Sequence, residues 1–279
     1  MESIDALSPS VCRGIRCLLA DIDDTMTTGG KLPAASYQGL WDLHDAGIAV
    51  IPVTGRPAGW CDLICRQWPV DGVIGENGAF AFCMDGHRRR TLLHPLAPDP
   101  EANRARLAAL AERVYASVPG TRAAKDQFSR LFDIAVDFRE EPPLLDFAAA
   151  DRIRAIFEQG GATAKISSIH VNAWFGDYDK LSMSRIFLQE RFGLDVADPQ
   201  DNARVLFCGD SPNDEPMFSA FRWTVGVANI APFLPGMAHP PAFTTPYESA
   251  EGFACLVRAI LQARNPGTDP IPCSTLDSR

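Results

Sequence analysis

The sequence predicts an α/β fold in which a parallel-sheet core is interrupted by an inserted α+β cap, and three observations carry that reading. Short apolar runs alternate with helical patterns through residues 16–74, giving strand, helix, strand, helix, strand, the order that builds a parallel sheet. Two apolar runs end abruptly in acids. Leu18-Leu19-Ala20 leads into Asp21-Ile22-Asp23-Asp24-Thr25, and Val205-Leu206-Phe207-Cys208 leads into Gly209-Asp210-Ser211-Pro212-Asn213-Asp214. Open parallel sheets bind ligands outside the carboxyl ends of their strands, so the two clusters can converge despite their separation in sequence. Between positions 79 and 176 the pattern changes to paired strands and longer helices, as expected of an insertion.

Taken in order, the first ten or so residues are polar and are expected to be loose. Arg16 to Ala20 reads as a buried strand, and Gly29-Gly30 breaks regular structure. Ala34 to Ala46 carries Tyr37, Leu40, Trp41 and Leu43 near helical spacing, with Gly47 as the stop. Ile48 to Val53 is a strand ending at Thr54-Gly55-Arg56, Pro57 opens a helix through Cys61 and Cys65 towards Trp68, and Gly72-Val73-Ile74 is a third strand. In the insertion, Ala79–Phe82 and Arg90–His94 read as paired strands before a helix from Pro100 to Val118. Phe132 to Phe138 alternates with period two, a helix follows from Leu145 to Glu158, and Ala162–Ser168 pairs with Ile169–Phe175. This predicts a strand, strand, helix unit repeated twice. Lys180 to Arg191 returns as a helix, Val205 to Cys208 as a strand and Glu215 to Phe221 as a helix. Thr224 to Ala228 is expected as an edge strand and Glu251 to Ala263 as a closing helix. The expected division is therefore core over 1–78 and 179–264, cap over 79–178, and a flexible tail over 265–279.

At 279 residues, with 46% hydrophobic and 22% charged residues, the chain can bury two cores and is neither fibrous nor disordered in composition. No apolar run approaches the roughly 20 residues that span a bilayer, and the first residues lack a basic-then-apolar signal pattern, so no membrane association and a cytoplasmic location are expected. A net charge of −9 argues against nucleic acid as a partner, because no basic face supplies counterion release. The eight cysteines show no zinc-ribbon spacing; Cys61 and Cys65, four apart, share a helix face and read as small buried thiols in a reducing compartment. Oligomeric state is not legible.

Three carboxylates crowded at a strand end are costly unless a metal or a reaction uses them. With Thr54-Gly55-Arg56, Lys180 and the second acid cluster in order, the chain resembles the haloacid dehalogenase-like (HAD) phosphohydrolase superfamily. The resemblance covers nearly the whole chain and points to a HAD-like Rossmannoid core. The insertion between the second and third motifs resembles the sheet-containing cap of subfamily IIB, shared by Cof-type, sucrose-phosphate and mannosyl-phosphoglycerate phosphatases.

The resemblance implies that Asp21 attacks phosphorus to form an aspartyl-phosphate, while Asp23 protonates the leaving group and later deprotonates water, its pKa raised by neighbouring acids. It implies Mg²⁺ held by Asp21 and Asp210, with the Asp23 carbonyl as a further ligand. Asp214 either holds a metal-bound water, orients Lys180 or caps a helix. Thr54 offers its hydroxyl to the phosphoryl oxygens or caps its strand, and Asn213 contacts the phosphate. Lys180 neutralises phosphoryl charge, with Lys125 and Lys165 as alternative lysines. Asp24 departs from the pattern, standing where the family commonly has Gly. Leaving-group selectivity is expected from Gly55, Arg56 and Asn77 in the core, and more weakly from Lys125, Arg130, His170, Asn172 and Trp174 in the cap. His170 reads equally as a structural strand residue and Trp174 as packing. The expected partner is a small phosphorylated metabolite, a sugar phosphate or phosphoglycerate derivative, hydrolysed by a Mg²⁺-dependent phosphatase. A phosphosugar mutase of the phosphomannomutase type and a receiver-like regulatory protein are the alternatives.

Overall fold

The structure, a computed structural model, describes residues 1–264; the tail expected over 265–279 lies outside the described residues. Its centre is a six-stranded, wholly parallel sheet. The spatial order is Glu2–Ser3, Phe243–Thr244, Trp223–Gly226, Val205–Gly209, Cys17–Ala20 and Ala49–Pro52. Strands buried on both faces read as continuous apolar runs, and Cys17–Ala20 and Val205–Gly209 are buried at every position. Alternate residues serve opposite faces. Leu18, Ala20 and Val50 join the cluster of Leu40, Leu43, Phe253 and Leu256, whereas Leu19, Ile51 and Phe207 pack with Met183, Phe187 and Met217.

Helix Ala34–Asp45 ends where Gly47 takes φ +70°, a left-handed conformation that costs glycine little. Helix Ala58–Gln67 starts after Pro57, as the sequence predicts. Cys61 and Cys65 are both buried on it, and burial pushes the Cys65 thiol up to about 11. Helices Lys180–Phe192 and Ser249–Arg264 complete the two faces. None of the described helices is long and apolar enough to cross a membrane.

Several expectations are corrected. The amino terminus is not loose: Glu2–Ser3 forms the sheet edge against Phe243–Thr244, and Ile4 and Leu7 are buried ahead of a helix at Pro9–Gly14. Trp223–Gly226 is an inner strand rather than an edge, because the two-residue strand Phe243–Thr244 pairs beside it. Val73–Gly75 touches the parallel sheet through a single bridge, Val53 to Ile74, and pairs antiparallel with Phe80–Asp85. That strand pairs in turn with Arg88–Leu93, and its Phe80 and Phe82 enter the same apolar cluster as Leu18. The first strand, strand, helix expected in the insertion forms, but it is not one unit: its strands lie on the core and its helix, Pro100–Ser117, on the second antiparallel sheet.

The second antiparallel sheet is separate. Its order is Arg122–Ala123, Asp133–Asp137, His170–Trp174 and Thr163–Ile166. Helices Pro100–Ser117 and Phe147–Gln159 bury their apolar stripes on one face of it, through Leu107, Val114, Ile153 and Phe157 against Val136, Phe138 and Val171. The Asp146 side chain caps the second helix by accepting from Ala149 N at 2.8 Å.

Candidate active site

The sheet topology explains why the two acid clusters meet. From Cys17–Ala20 the chain moves outward to Ala49–Pro52 on one side, then returns on the other as Val205–Gly209, so the strand order reverses between adjacent strands. Asp21 N donates to Cys208 O at 3.0 Å, which sets Asp21 and Asp210 side by side at the carboxyl edge. Gly209 is obligatory there: a Cβ would sit 2.4 Å from Asp214 Oδ2.

Lys180 lies at the first position of its helix, where a cation opposes the macrodipole, and its partners account for the placement. Its Nζ donates to Asp21 Oδ1 and Asp214 Oδ1, both at 2.8 Å, with all three side chains buried. The Asp179–Ser182 capping box fixes that helix start. Asp214 gives its other oxygen to Asp210 N at 3.1 Å, so it orients Lys180 and the Asp210 loop. Asp210 accepts from Thr25 Oγ1 at 3.2 Å and Asn229 Nδ2 at 3.4 Å. Lys125 is far more exposed, near Glu141, and does not enter this group.

Burial pushes the Asp21 carboxyl up to about 7, with Lys180 opposing and Asp214 and Asp23 reinforcing the shift. Burial also drives Asp210 well up, followed by the charges of Asp21 and Asp214. Burial alone would lower the Lys180 ammonium, yet Asp21 and Asp214 hold it above the usual lysine range. One carboxylate oxygen from each of Asp21, Asp210 and Asp214 lies within 4.8 Å of the others. Hard oxygen donors, buried and short of positive charge, fit a divalent cation such as Mg²⁺. Asp214 is the least available of the three: its oxygens accept at 2.8 and 3.1 Å from Lys180 and Asp210 N, against the longer 3.2 and 3.4 Å bonds at Asp210.

Asp23 has Asp21 and Asp24 beside it, as expected, but its carboxylate is held by Arg56. Nε donates to its two oxygens at 3.1 and 2.9 Å and Nη2 to Oδ1 at 2.8 Å. Burial alone would lower the Arg56 guanidinium, but Asp23, Glu140 and Asp126 hold it well above its ordinary value. Its plane also lies 4.3 Å from the Trp60 ring centre. Thr54 is fully buried and its Oγ1 accepts from Arg56 N at 3.0 Å, the strand-end role, leaving its hydroxyl proton free to donate.

The weaker cap candidates divide. Asn172 and His170 line one cavity with Asp21, Asp23, Gly55, Arg56, Asn77, Asp210 and Asn213. His170 Nε2 bonds Glu140 at 2.8 Å, and Asn172 Nδ2 donates to Asp133 at 2.7 Å. Arg130 also reaches the cavity wall, but its guanidinium is spent on Asp126, Asp133 and Gly55 O. Trp174 is fully buried and stacks on Tyr178 at 5.6 Å, so it packs and does not face a ligand. Asn213 accepts from Ser211 Oγ at 2.7 Å, and Asn77, at φ +57°, packs against Gly55 with its Nδ2 unpartnered.

Sequence reasoning missed Thr25 and Asn229, which support Asp210, and Glu76, which joins core to cap. The fully buried Glu76 carboxylate accepts from Ala58, Leu131, Phe132 and Asp133 amides at 2.6 to 3.2 Å. Burial, then Asp133, pushes it up to about 7. The available signal was Glu76-Asn77 ahead of Gly78, two residues with positive φ directly after an apolar strand.

No protein-family model and no curated protein matches the chain. Solved structures do. A Thermoplasma acidophilum protein superposes with a TM-score of 0.68 at 19% identity, covering 88% of this chain and 98% of its own. A haloacid dehalogenase-like hydrolase from Bacteroides thetaiotaomicron gives 0.62 at 15%, covering 88% and 99%. The sucrose-phosphatase of Synechocystis sp. PCC6803, solved with sucrose and phosphate, gives 0.58 at 16%, covering 89% and 97%.

Proposed function

We propose that this chain, whose fold is that of the haloacid dehalogenase-like hydrolases, is a phosphatase that hydrolyses a small organic phosphomonoester through an aspartyl-phosphate. The observation that carries the reading is the Asp21–Lys180–Asp214 chain beside Asp210 at adjacent strand ends. Five acids, Asp21, Asp23, Asp24, Asp210 and Asp214, cluster against Lys180, Arg56 and the cavity-lining Lys165, with Arg130 already committed to Asp126 and Asp133, a balance that an incoming phosphate dianion worsens unless another cation joins. Asp21 and Asp210, with the Asp23 carbonyl, would hold Mg²⁺. The metal would neutralise phosphoryl charge and so let a carboxylate approach phosphorus.

Asp21 supplies the electron pair that forms the new P–O bond as the ester P–O bond breaks. Lys180 keeps its carboxylate aimed and shares the charge that develops on the phosphoryl oxygens. Asp23 gives a proton to the departing oxygen, then takes one from the water that cleaves the acyl-phosphate, releasing phosphate and restoring Asp21. Arg56 fixes the direction of Asp23, which must turn one oxygen away from that fork to act as an acid. The closed cap keeps bulk water out of this exchange.

Sugar phosphates and phosphoglycerate derivatives form the proposed substrate class, because Lys165, Ser167, Ser168 and His170 present hydroxyl and cationic partners at the cavity. The test is phosphate release across a panel of phosphorylated metabolites with Mg²⁺, using Asp21→Asn as the blank. Release equal to that of the blank for every compound would sink the reading, and an isomerised product without release would mark a mutase.

A further inference from the structure

The catalytic cavity holds only about 20 Å³, room for roughly one water molecule. The cap loop Lys165–His170 closes it, and the Ser168 hydroxyl reaches the Asp24 carboxylate. A leaving group cannot share that space with the phosphoryl group. Directly across the loop lies a cleft of about 520 Å³, within the size range of small-molecule sites. Lys165, Ser167, Ser168, Ser211 and Asn213 line both cavities, so they form the wall between the two.

The far part of the cleft has a different chemistry. Phe147 from the cap and Phe233 from the core stand edge to face at 6.2 Å, with Ile166 and Pro212 beside them. Arg154 lies at the rim, but its charge is taken up by Asp151 at 2.8 Å and Glu158 at 3.9 Å. Polar groups therefore cluster near the catalytic cavity and apolar surface lies beyond them.

We infer that this cleft receives the leaving group, and that the preferred substrates are phosphomonoesters hydroxylated near the ester oxygen and carrying a flat apolar portion beyond it. The inference rests on the phosphatase reading above and narrows it. A ring packed against the Phe147–Phe233 pair would gain burial and aromatic contact from both domains at once, and would bridge cap to core. Binding energy at this remote portion would then hold the cap closed during the reaction.

The test compares substrates that differ only beyond the reacting atoms: phenyl against methyl glucoside 6-phosphate, and 3-phenylpropyl against propyl phosphate. In each pair the ester is on a primary alcohol, so intrinsic reactivity is nearly matched. The proposal expects kcat/KM about tenfold or more higher for the phenyl member of at least one pair, the discrimination apolar pockets achieve. Phe147→Ala and Phe233→Ala should each bring that ratio towards one. Because both substrates are measured on the same sample, a partly unfolded variant does not alter the ratio. Ratios within twofold of one in both pairs, or a ratio unmoved by either substitution, overturn the cleft proposal while leaving the phosphatase reading intact. Release no greater than that of Asp21→Asn from all four compounds, and from the wider metabolite panel, overturns both.

Discussion

Lys180→Met separates the pairing of Lys180 from ordinary packing. Methionine keeps most of the apolar stem, so the change removes the ammonium and little volume. The lost contacts are two charge-assisted hydrogen bonds of 2.8 Å to side chains only 7% and 0% exposed. Removing one partner of a buried ion pair costs about 3–5 kcal/mol, because the remaining charge is left without compensation. A domain stable by about 5–15 kcal/mol survives that, so the variant should fold with a lower urea midpoint. Losing a cation at the reacting group costs about 10²–10³ in kcat, by analogy with a deleted oxyanion donor. The decisive assay is a double-mutant cycle with Asp21→Asn, followed by far-ultraviolet circular dichroism. With Asp21 neutral, Lys180→Met leaves only Asp214 unpaired, so its cost should fall by about 1–3 kcal/mol. Costs that add to within about 0.5 kcal/mol would refute the coupling.

Chelation provides a second test: phosphate release should fall to the Asp21→Asn background in EDTA and return with Mg²⁺, and undiminished release in chelator would remove the metal from the site. Glu140 gives a pH test. Its hydrogen bond from His170, opposed by burial and aided by Arg56, holds its carboxyl down at about 2, against 4.5 in the unfolded chain. The folded form therefore binds fewer protons, and Glu140 contributes stability that is full above pH 4.5 and lost as pH falls through about 2. Glu140→Gln should flatten that acid limb in a tryptophan-fluorescence titration, and an unchanged limb would contradict the pairing. Asp24 sits at φ +55°, a conformation that costs most L-residues about 1–2 kcal/mol. Asp24→Gly should thus keep or raise Tm while raising KM, since the contact with Ser168 is lost; a lower Tm with unchanged KM would show that the carboxylate serves the core.

The core was legible because its signals are local. Leu18 and Leu19 face opposite layers two apolar residues before Asp21, and a run buried on both sides of a parallel sheet leaves little choice of structure. The edges were not legible. Glu2–Ser3 and Phe243–Thr244 are two residues each, too short for periodicity, and they exist because their neighbours supply the ladder. The hairpin Phe80–Asp85 with Arg88–Leu93 was recognised as paired strands, but the sheet it joins is a tertiary choice made by Phe80 and Phe82 packing under helix Ala58–Gln67. At the site, Asp21, Lys180, Asp210 and Asp214 were found by residue type and order. The partner of Asp23 was not: Arg56 was read as a leaving-group contact, and only the fold shows its guanidinium turned back onto the acid.

The seam between cap and core also bears on how the cap would open. Beside the apolar contacts of Phe132, Trp174 and Phe147 with the core, it carries polar groups: Glu76 accepts amides of Leu131, Phe132 and Asp133, Arg130 donates to Gly55 O, and Arg56 reaches Asp126 and Glu140. The polar groups can exchange their partners for water at a modest net cost when the seam opens, while the apolar contacts of Phe132, Trp174 and Phe147 resist separation. Closure is nevertheless specific, since one buried carboxylate collects the amides of three successive cap residues and fails if the register slips. Arg56 belongs to both tasks, with Nε and Nη2 on Asp23 and Nη1 on two cap acids. Cap movement that breaks the Nη1 contacts therefore frees the same side chain that aims the proposed acid and base, coupling substrate access to the proton-transfer group through a single residue.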